Sequence, residues 1–385
     1  MAGQGVMKRL FVLVMVVLAL PLLNFFFGFV QSGPLEGVSA PGRVVKLTPA
    51  TWWDGSFQEY GNNYMNDSIG FRPDLVRMTN QIDYWLFDRI NAEKVILGKN
   101  GHLFASMYIN EYNAVYNVPD TATRRLCMQL QRIQDTMDKL GKTFIIAITP
   151  SKPYVYPSQL PSKWERRANT RAAFYTQFRQ YGDAMHLRFL DFNQWFAAMA
   201  PTERYPLMPK TGVHWSCYAS ILAADSMVHF VERERHINMP HIRITSVKVT
   251  DTPRAPDNDI SNIINLVYPF ARETLAYPET DYDTTGNTRP RAIYIGDSFM
   301  WLWLKYNIPG NVNSNWEFWE HFTNVWRLKT IMGEETALKI KDYDWKKQVD
   351  NADYIMLIYN PVNYKSYYDP ENFVQSVYNY YFHIK

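Results

Sequence analysis

The sequence predicts an α/β protein built on a central, mostly parallel sheet with helices on its faces. Three observations lead there. Strand and helix patterns trade places along most of the chain. The strand candidates are apolar at consecutive positions, as in Phe144-Ile145-Ile146-Ala147-Ile148, which suits a strand covered on both faces. With 385 residues and a hydrophobic content of 47%, the chain can bury a large core.

From Leu10 to Val30 the chain is almost wholly apolar, and a helix rising about 1.5 Å per residue would cross a hydrocarbon layer of about 30 Å. Lys8 and Arg9 precede this run and the first charge after it is Glu36, so the positive-inside bias keeps the amino terminus in the cytoplasm and the rest outside. A cleaved signal peptide is the alternative. Its apolar part usually spans about 7–15 residues, and the nearest small-x-small site, Val38-Ser39-Ala40, stands well beyond the run. Both readings give an extracytoplasmic, periplasmic body; the anchor reading adds a single pass through the cell (inner) membrane over residues 1–31. Residues 32–50, with Gly33, Pro34, Gly37, Pro41, Gly42 and Pro49, read as a linker, and residues 51–385 as the folded domain.

Within that domain, apolar residues recur at helical spacing through Leu75, Met78, Ile82, Trp85, Leu86 and Ile90, before a Val95-Ile96-Leu97 strand and a Gly98–Gly101 turn. A helix over 121–140, the strand 144–148, a helix near 169–185 and a strand at 187–191 follow. A long helix comes after His214, strands at Ile293–Ile295 and Tyr354–Tyr359, and a Tyr-rich helix closes the chain.

Composition narrows the function. Forty basic against 37 acidic side chains leave +3, too little for the electrostatic footprint of nucleic-acid binding. The 26 Tyr, 22 Phe and 12 Trp either fill a core or offer faces on which sugars stack. Cys127 and Cys217 either form one disulfide or stay as buried thiols. No histidine–carboxylate cluster at ligand spacing stands out, so no metal is expected.

The strand Arg291–Ile295 runs directly into Gly296-Asp297-Ser298, with a helix candidate over Phe299–Tyr306. A serine at a strand-to-helix turn exposes its hydroxyl at the carboxyl edge of the sheet, beside helix N–H groups that favour an oxyanion, and Gly296 leaves room for close approach. Capping the helix is the other use of such a serine. A serine nucleophile needs a base, and of eight histidines His214 is the best placed, in Pro209-Lys210-Thr211-Gly212-Val213-His214-Trp215-Ser216 at a loop-to-helix junction. A structural histidine would also sit there.

His214-Trp215 followed later by Gly296-Asp297-Ser298-Phe299 resembles the alginate O-acetyltransferase-like branch of the SGNH/GDSL hydrolase superfamily, in which the histidine precedes the serine. Gly70-Phe71-Arg72-Pro73, Val95 to Phe104 and Thr149-Pro150-Ser151-Lys152 are similar to further landmarks of that branch. The resemblance covers roughly residues 52–385 and implies an SGNH-hydrolase-like three-layer fold. It also implies an O-acetyltransferase acting on a cell-surface or secreted polysaccharide, with Ser298 as nucleophile and His214 as proton shuttle. The family's aspartate two residues before the histidine is replaced by Gly212; Asp259, in Asp257-Asn258-Asp259-Ile260, is the substitute the resemblance suggests, with loop capping as its other reading. Losing the orienting carboxylate of a serine protease costs about 10⁴ in turnover. Gly296 and Asn360 are implied as oxyanion or substrate-binding residues, Asn360 being otherwise a turn residue before Pro361. No bound cofactor is implied. Acetyl-CoA is cytosolic, so a membrane-bound O-acyltransferase partner would pass the acyl group across to a polysaccharide acceptor. An acetylesterase using the same residues, or a non-catalytic glycan-binding or scaffold domain, are the alternatives.

Overall fold

In a computed structural model, residues 2–37, 44–165, 172–283, 285, 287–369 and 371–382 are described. Part of the expected linker, including Pro41, Gly42 and the Val38-Ser39-Ala40 site, and the first residues of the helix expected near 169–185, lie outside the described residues. The chain divides into two compact units: residues 1–93 with 261–270, and residues 94–260 with 271–385.

In the first unit the helix Ala2–Phe27 contains a 23-residue stretch, Gly5–Phe27, long and apolar enough to cross a membrane, with mean hydropathy 2.7. Asn24 closes its end, accepting from Val30 N at 2.8 Å and donating to Val30 O at 3.0 Å. The helix Arg72–Phe87 forms as its spacing predicts, but its polar residues Gln81 and Asp83 are buried whereas Leu75, Met78, Ile82, Trp85 and Leu86 are exposed. The inward side is held by polar bonds instead: Gln81 accepts from Tyr268 N at 3.0 Å, and Asn80 donates to Ile264 O at 2.8 Å. The first part of the linker is fixed too, because Arg77 donates to the Gly33 carbonyl at 3.1 Å.

The second unit opens with a short antiparallel pair, β1 (Val95–Leu97) and β2 (Leu103–Ala105). The main sheet contains β3 (Thr143–Ile148) and β4 (Phe189–Asp191). A separate antiparallel hairpin, β5 (His241–Thr250) and β6 (Leu275–Asp283), follows. The main sheet is completed by β7 (Arg291–Gly296), β8 (Asn315–Glu320), β9 (Asn324–Trp326), β10 (Leu338–Lys339) and β11 (Tyr354–Tyr359). Its order is β10-β9-β8-β7-β11-β3-β4; β8, β7, β11, β3 and β4 are parallel, and the two strands at the β10 edge are antiparallel.

The central strands are buried on both faces because alternate side chains serve two cores. Tyr294, Met356 and Ile145 stand in register across β7, β11 and β3 and join one core with Trp215, Trp303 and the helix Cys217–Arg235. Their neighbours Ile295, Leu357 and Ile146 join the other, with the helices Asp120–Lys139, Phe174–Ala184 and Phe373–Phe382. The helix Asp120–Lys139 buries Leu126, Leu130, Ile133 and Met137 along one stripe, and each fully buried side chain of this kind contributes about 1.5–3 kcal/mol. Helix, sheet and helix make the three expected layers. The parallel strands end on one edge, and the turns after β3, β7 and β11 gather there.

Candidate active site

Ser298 follows β7 and is exposed, whereas Ala292–Asp297 before it and Phe299 and Met300 after it are buried. The hydroxyl therefore stands alone at the carboxyl edge of the sheet. The helix beyond it runs over Met300–Lys305 with no side-chain cap, and Ser298 Oγ instead lies 2.8 Å from His214 Nε2. The other ring nitrogen, Nδ1, lies 2.5 Å from Asp259 Oδ2. The edge of the buried Phe299 ring meets the imidazole, with centroids 4.8 Å apart at 63°, and helps fix its orientation.

Two loops are zipped together to make this chain of contacts. Asp259 Oδ1 accepts from Val213 N at 3.0 Å, Ile260 N donates to Thr211 O at 3.1 Å, and Thr211 Oγ1 donates to Asp257 O at 2.7 Å. Asp259 thus bonds to the histidine loop through one carboxylate oxygen and faces the imidazole with the other. Gly212 makes the approach feasible: a Cβ there would stand 2.9 Å from Asp257 O and 3.1 Å from Asp259 Oδ1. Asp257 is buried and accepts from Cys217 N at 3.2 Å; burial pushes its carboxyl up to about 7, against the pull of the Tyr277 hydroxyl and that amide.

Gly296 and Asn360 sit at the edge as expected. A Cβ on Gly296 would stand 2.0 Å from Ile358 O, so the neighbouring strand fills the space that this glycine leaves. Asn360 is fully buried. Its side-chain amide donates to Pro150 O at 2.8 Å and Thr149 O at 3.4 Å, and its carbonyl accepts from Val362 N at 3.1 Å. It ties the ends of β3 and β11 together, with its side-chain N–H groups directed at those two carbonyls.

Three supporting residues had no role in the sequence reading. Asp297 is buried beneath the serine and accepts from Asn360 N at 2.7 Å, Phe299 N at 3.1 Å and Asn363 Nδ2 at 2.6 Å; burial raises its carboxyl pKa, and those donors oppose the rise. Lys152, recognised only as part of a landmark, is buried and donates to Leu103 O at 2.8 Å, Lys210 O at 3.2 Å and Gly212 O at 2.6 Å. It anchors the histidine loop to the end of β3; burial lowers its pKa, while Glu273 and Asp259 pull it upward. Tyr108 is buried within the fields of Asp297 and Asp259, which reinforce the upward push of burial on its phenol. Nothing in the sequence around Tyr108 marks it out. Among the described residues one group, His229, Glu232 and His241, brings its ligand atoms close enough for a metal ion, and it shares no member with the serine site.

The family described as SGNH hydrolase-like domain, acetyltransferase AlgX, matches residues 95–291, a segment that holds Lys152, His214 and Asp259 and ends before Ser298. A curated relative, the probable alginate O-acetylase AlgJ of Pseudomonas putida, is 26% identical over 215 residues, covering 54% of this chain and 51% of that protein. The chain thus spans about half the length of the curated relative it matches. Among solved structures, the O-acetyltransferase domain of Pseudomonas putida AlgJ gives a TM-score of 0.44 at 16% identity, covering 74% of this chain and 99% of that one. Pseudomonas aeruginosa AlgX gives 0.44 at 12%, covering 73% and 68%. Bacillus cereus PatB1 gives 0.42 at 10%, covering 70% and 96%. With more than half of its length matched, this chain belongs to the AlgX family of SGNH hydrolase-like acetyltransferase domains.

Proposed function

We propose that the protein transfers acetyl groups to a polysaccharide outside the cytoplasm through an acyl-serine at Ser298. The observation that carries the reading is the continuous line from Asp259 through His214 to an exposed Ser298, with gaps of 2.5 and 2.8 Å. Ser298 Oγ attacks the acyl carbon of the donor while His214 Nε2 takes its proton. As the donor's C–O bond breaks, that proton goes to the leaving oxygen, and acetyl remains on serine. A sugar hydroxyl then attacks the same carbon; His214 takes its proton and returns it to Ser298 Oγ as the serine ester breaks. Asp259 holds the Nδ1 proton and balances the charge of the imidazolium. Each transfer conserves acetyl and proton, so no redox group is needed.

The membrane reading rests on the apolar helix ending at Phe27 and on the outward apolar face of the helix Arg72–Phe87, which belongs to the same unit. Aromatic and apolar side chains of this kind favour the membrane interface. A single anchor would hold the domain near a polytopic membrane-bound O-acyltransferase and raise its effective concentration there. The donor is then that partner's acyl product, and acetyl-CoA stays in the cytosol. The acceptor class is taken from the alginate relatives.

The test uses the detergent-solubilised full chain with nitrophenyl acetate as surrogate donor. Nitrophenol release, a transient acetyl adduct on the Ser298 peptide by intact-mass and fragment analysis, and acetylated oligosaccharide when a glycan is added are expected. Ser298→Ala abolishes all three. Release with water as the only acceptor, glycan present, assigns an esterase, and equal rates for Ser298→Ala and the native chain remove the serine mechanism.

A further inference from the structure

We propose that His229, Glu232 and His241 bind a divalent transition-metal ion, Zn²⁺ by their ligand chemistry, and that this ion fastens the helix Cys217–Arg235 to the start of β5. His229 and Glu232 lie three residues apart on that helix and so share a face, while His241 is the first residue of β5. One ligand atom from each lies within 4.8 Å of the other two. His241 Nε2 is 2.9 and 3.1 Å from the two Glu232 carboxylate oxygens, and the two imidazoles stack with centroids 4.8 Å apart at 28°.

The tautomer of His229 suits a ligand. Its Nδ1 lies 2.9 Å from the Asp225 carbonyl, and an Nδ1–H donated there leaves Nε2 with a free lone pair, the arrangement in which metal-bound histidines are generally held. Glu232 Oε1 also accepts from Met239 N at 2.7 Å, which fixes the carboxylate from behind. Zn²⁺ takes nitrogen and oxygen ligands at about 2.0–2.2 Å in a tetrahedron, so ligand atoms stand about 3.4 Å apart. Glu232 is 15% exposed and stays, whereas His229 at 52% and His241 at 45% are free to turn. The fourth position is left to water. Two imidazoles and a carboxylate suit Zn²⁺, and bind Cu²⁺ and Ni²⁺ as well.

The cluster leaves no motif spacing in the sequence because the third ligand arrives only after the helix ends. His236 adopts a left-handed conformation there, with φ of 55°, and the chain turns back. The role is structural and does not depend on acyl transfer. β5 pairs with β6, and the segment joining them carries Asp257 and Asp259, so an ion at the base of β5 steadies the hairpin that delivers them.

The experiment takes the full chain in detergent, any affinity tag removed and metal stripped by chelator, and titrates it with ZnCl₂ against a chromophoric competitor. One saturable ion per chain is expected, together with a rise in thermal midpoint. His229→Ala and His241→Ala each weaken binding at least about tenfold, and the conservative His241→Gln does the same, separating ligand loss from misfolding. His186→Asn, at an exposed histidine elsewhere, binds like the native chain. Equal affinities for the native chain and both alanine variants, or an X-ray absorption spectrum of the loaded protein without imidazole nitrogen, overturn the assignment.

Discussion

Gly212 and Asp259 occupy adjoining space that a side chain on the first would take from the second, since a Cβ at 212 would lie 3.1 Å from Asp259 Oδ1 and 2.9 Å from the Asp257 backbone oxygen. The glycine at 212 thus admits a carboxylate from another loop. Gly212→Ala should push the 257–259 segment back and cost about 1–3 kcal/mol of strain, with a tenfold or greater fall in nitrophenyl acetate turnover. Turnover within twofold of native would show that the fit is slack.

Asp259→Asn tests the carboxylate itself. Loss of its charge and of its preference for the Nδ1–H tautomer is expected to lower kcat by about 10²–10⁴. Single-turnover acetylation of Ser298 reads the effect. An Asp259→Asn enzyme as fast as the native one would reduce Asp259 to a loop fastener.

Lys152→Met leaves the carbonyls of Leu103, Lys210 and Gly212 without their shared buried donor. A destabilisation of about 1–3 kcal/mol is expected by urea unfolding, the cost of leaving a buried polar group without its hydrogen-bond partner. Activity should fall with it, because the histidine loop loses its anchor.

Asp257 gives a pH test of stability. Its carboxyl is held at about 7 in the folded chain against the ordinary value near 3.8, so the native state binds the extra proton between these limits. Stability contributed by that proton is present at low pH and is lost as pH rises from about 4 through about 7. Asp257→Asn removes the titration. The native chain's midpoint relative to the variant's should therefore fall between pH 5 and pH 8, and a difference independent of pH would contradict the shift.

Cys127 and Cys217 are both free and fully buried, and burial pushes each thiol up to about 12. The native chain should resist alkylation at pH 8 and yield two reactive thiols in denaturant, as counted by mass.

The parallel sheet was legible because β3, β7 and β11 are almost wholly apolar, and the serine turn because strand, Gly296, Ser298 and helix are consecutive. What escaped was assembled across distance. The β5/β6 hairpin has largely exposed faces and a register shift between Ile244 and Ser246, which blurs its alternation. In β8 the buried Glu317 breaks the apolar run, and it is satisfied only by Trp319 Nε1 at 2.8 Å and by Tyr343. The apolar period of Arg72–Phe87 announced a helix correctly, but period alone does not say which side faces inward. His214 and Ser298 could be named from local context, whereas the stations of Lys152, Tyr108 and Asn360 depend on which strand ends become neighbours.

The two loops zipped at Thr211–Val213 and Asp257–Ile260 carry a wider lesson for degenerate-looking relatives. The residue two places ahead of the histidine is Gly212, which offers no acid, although a carboxylate stands 2.5 Å from the imidazole. The acid reaches the imidazole from a separate stretch of polypeptide, so its contact can be read only after the chain has folded.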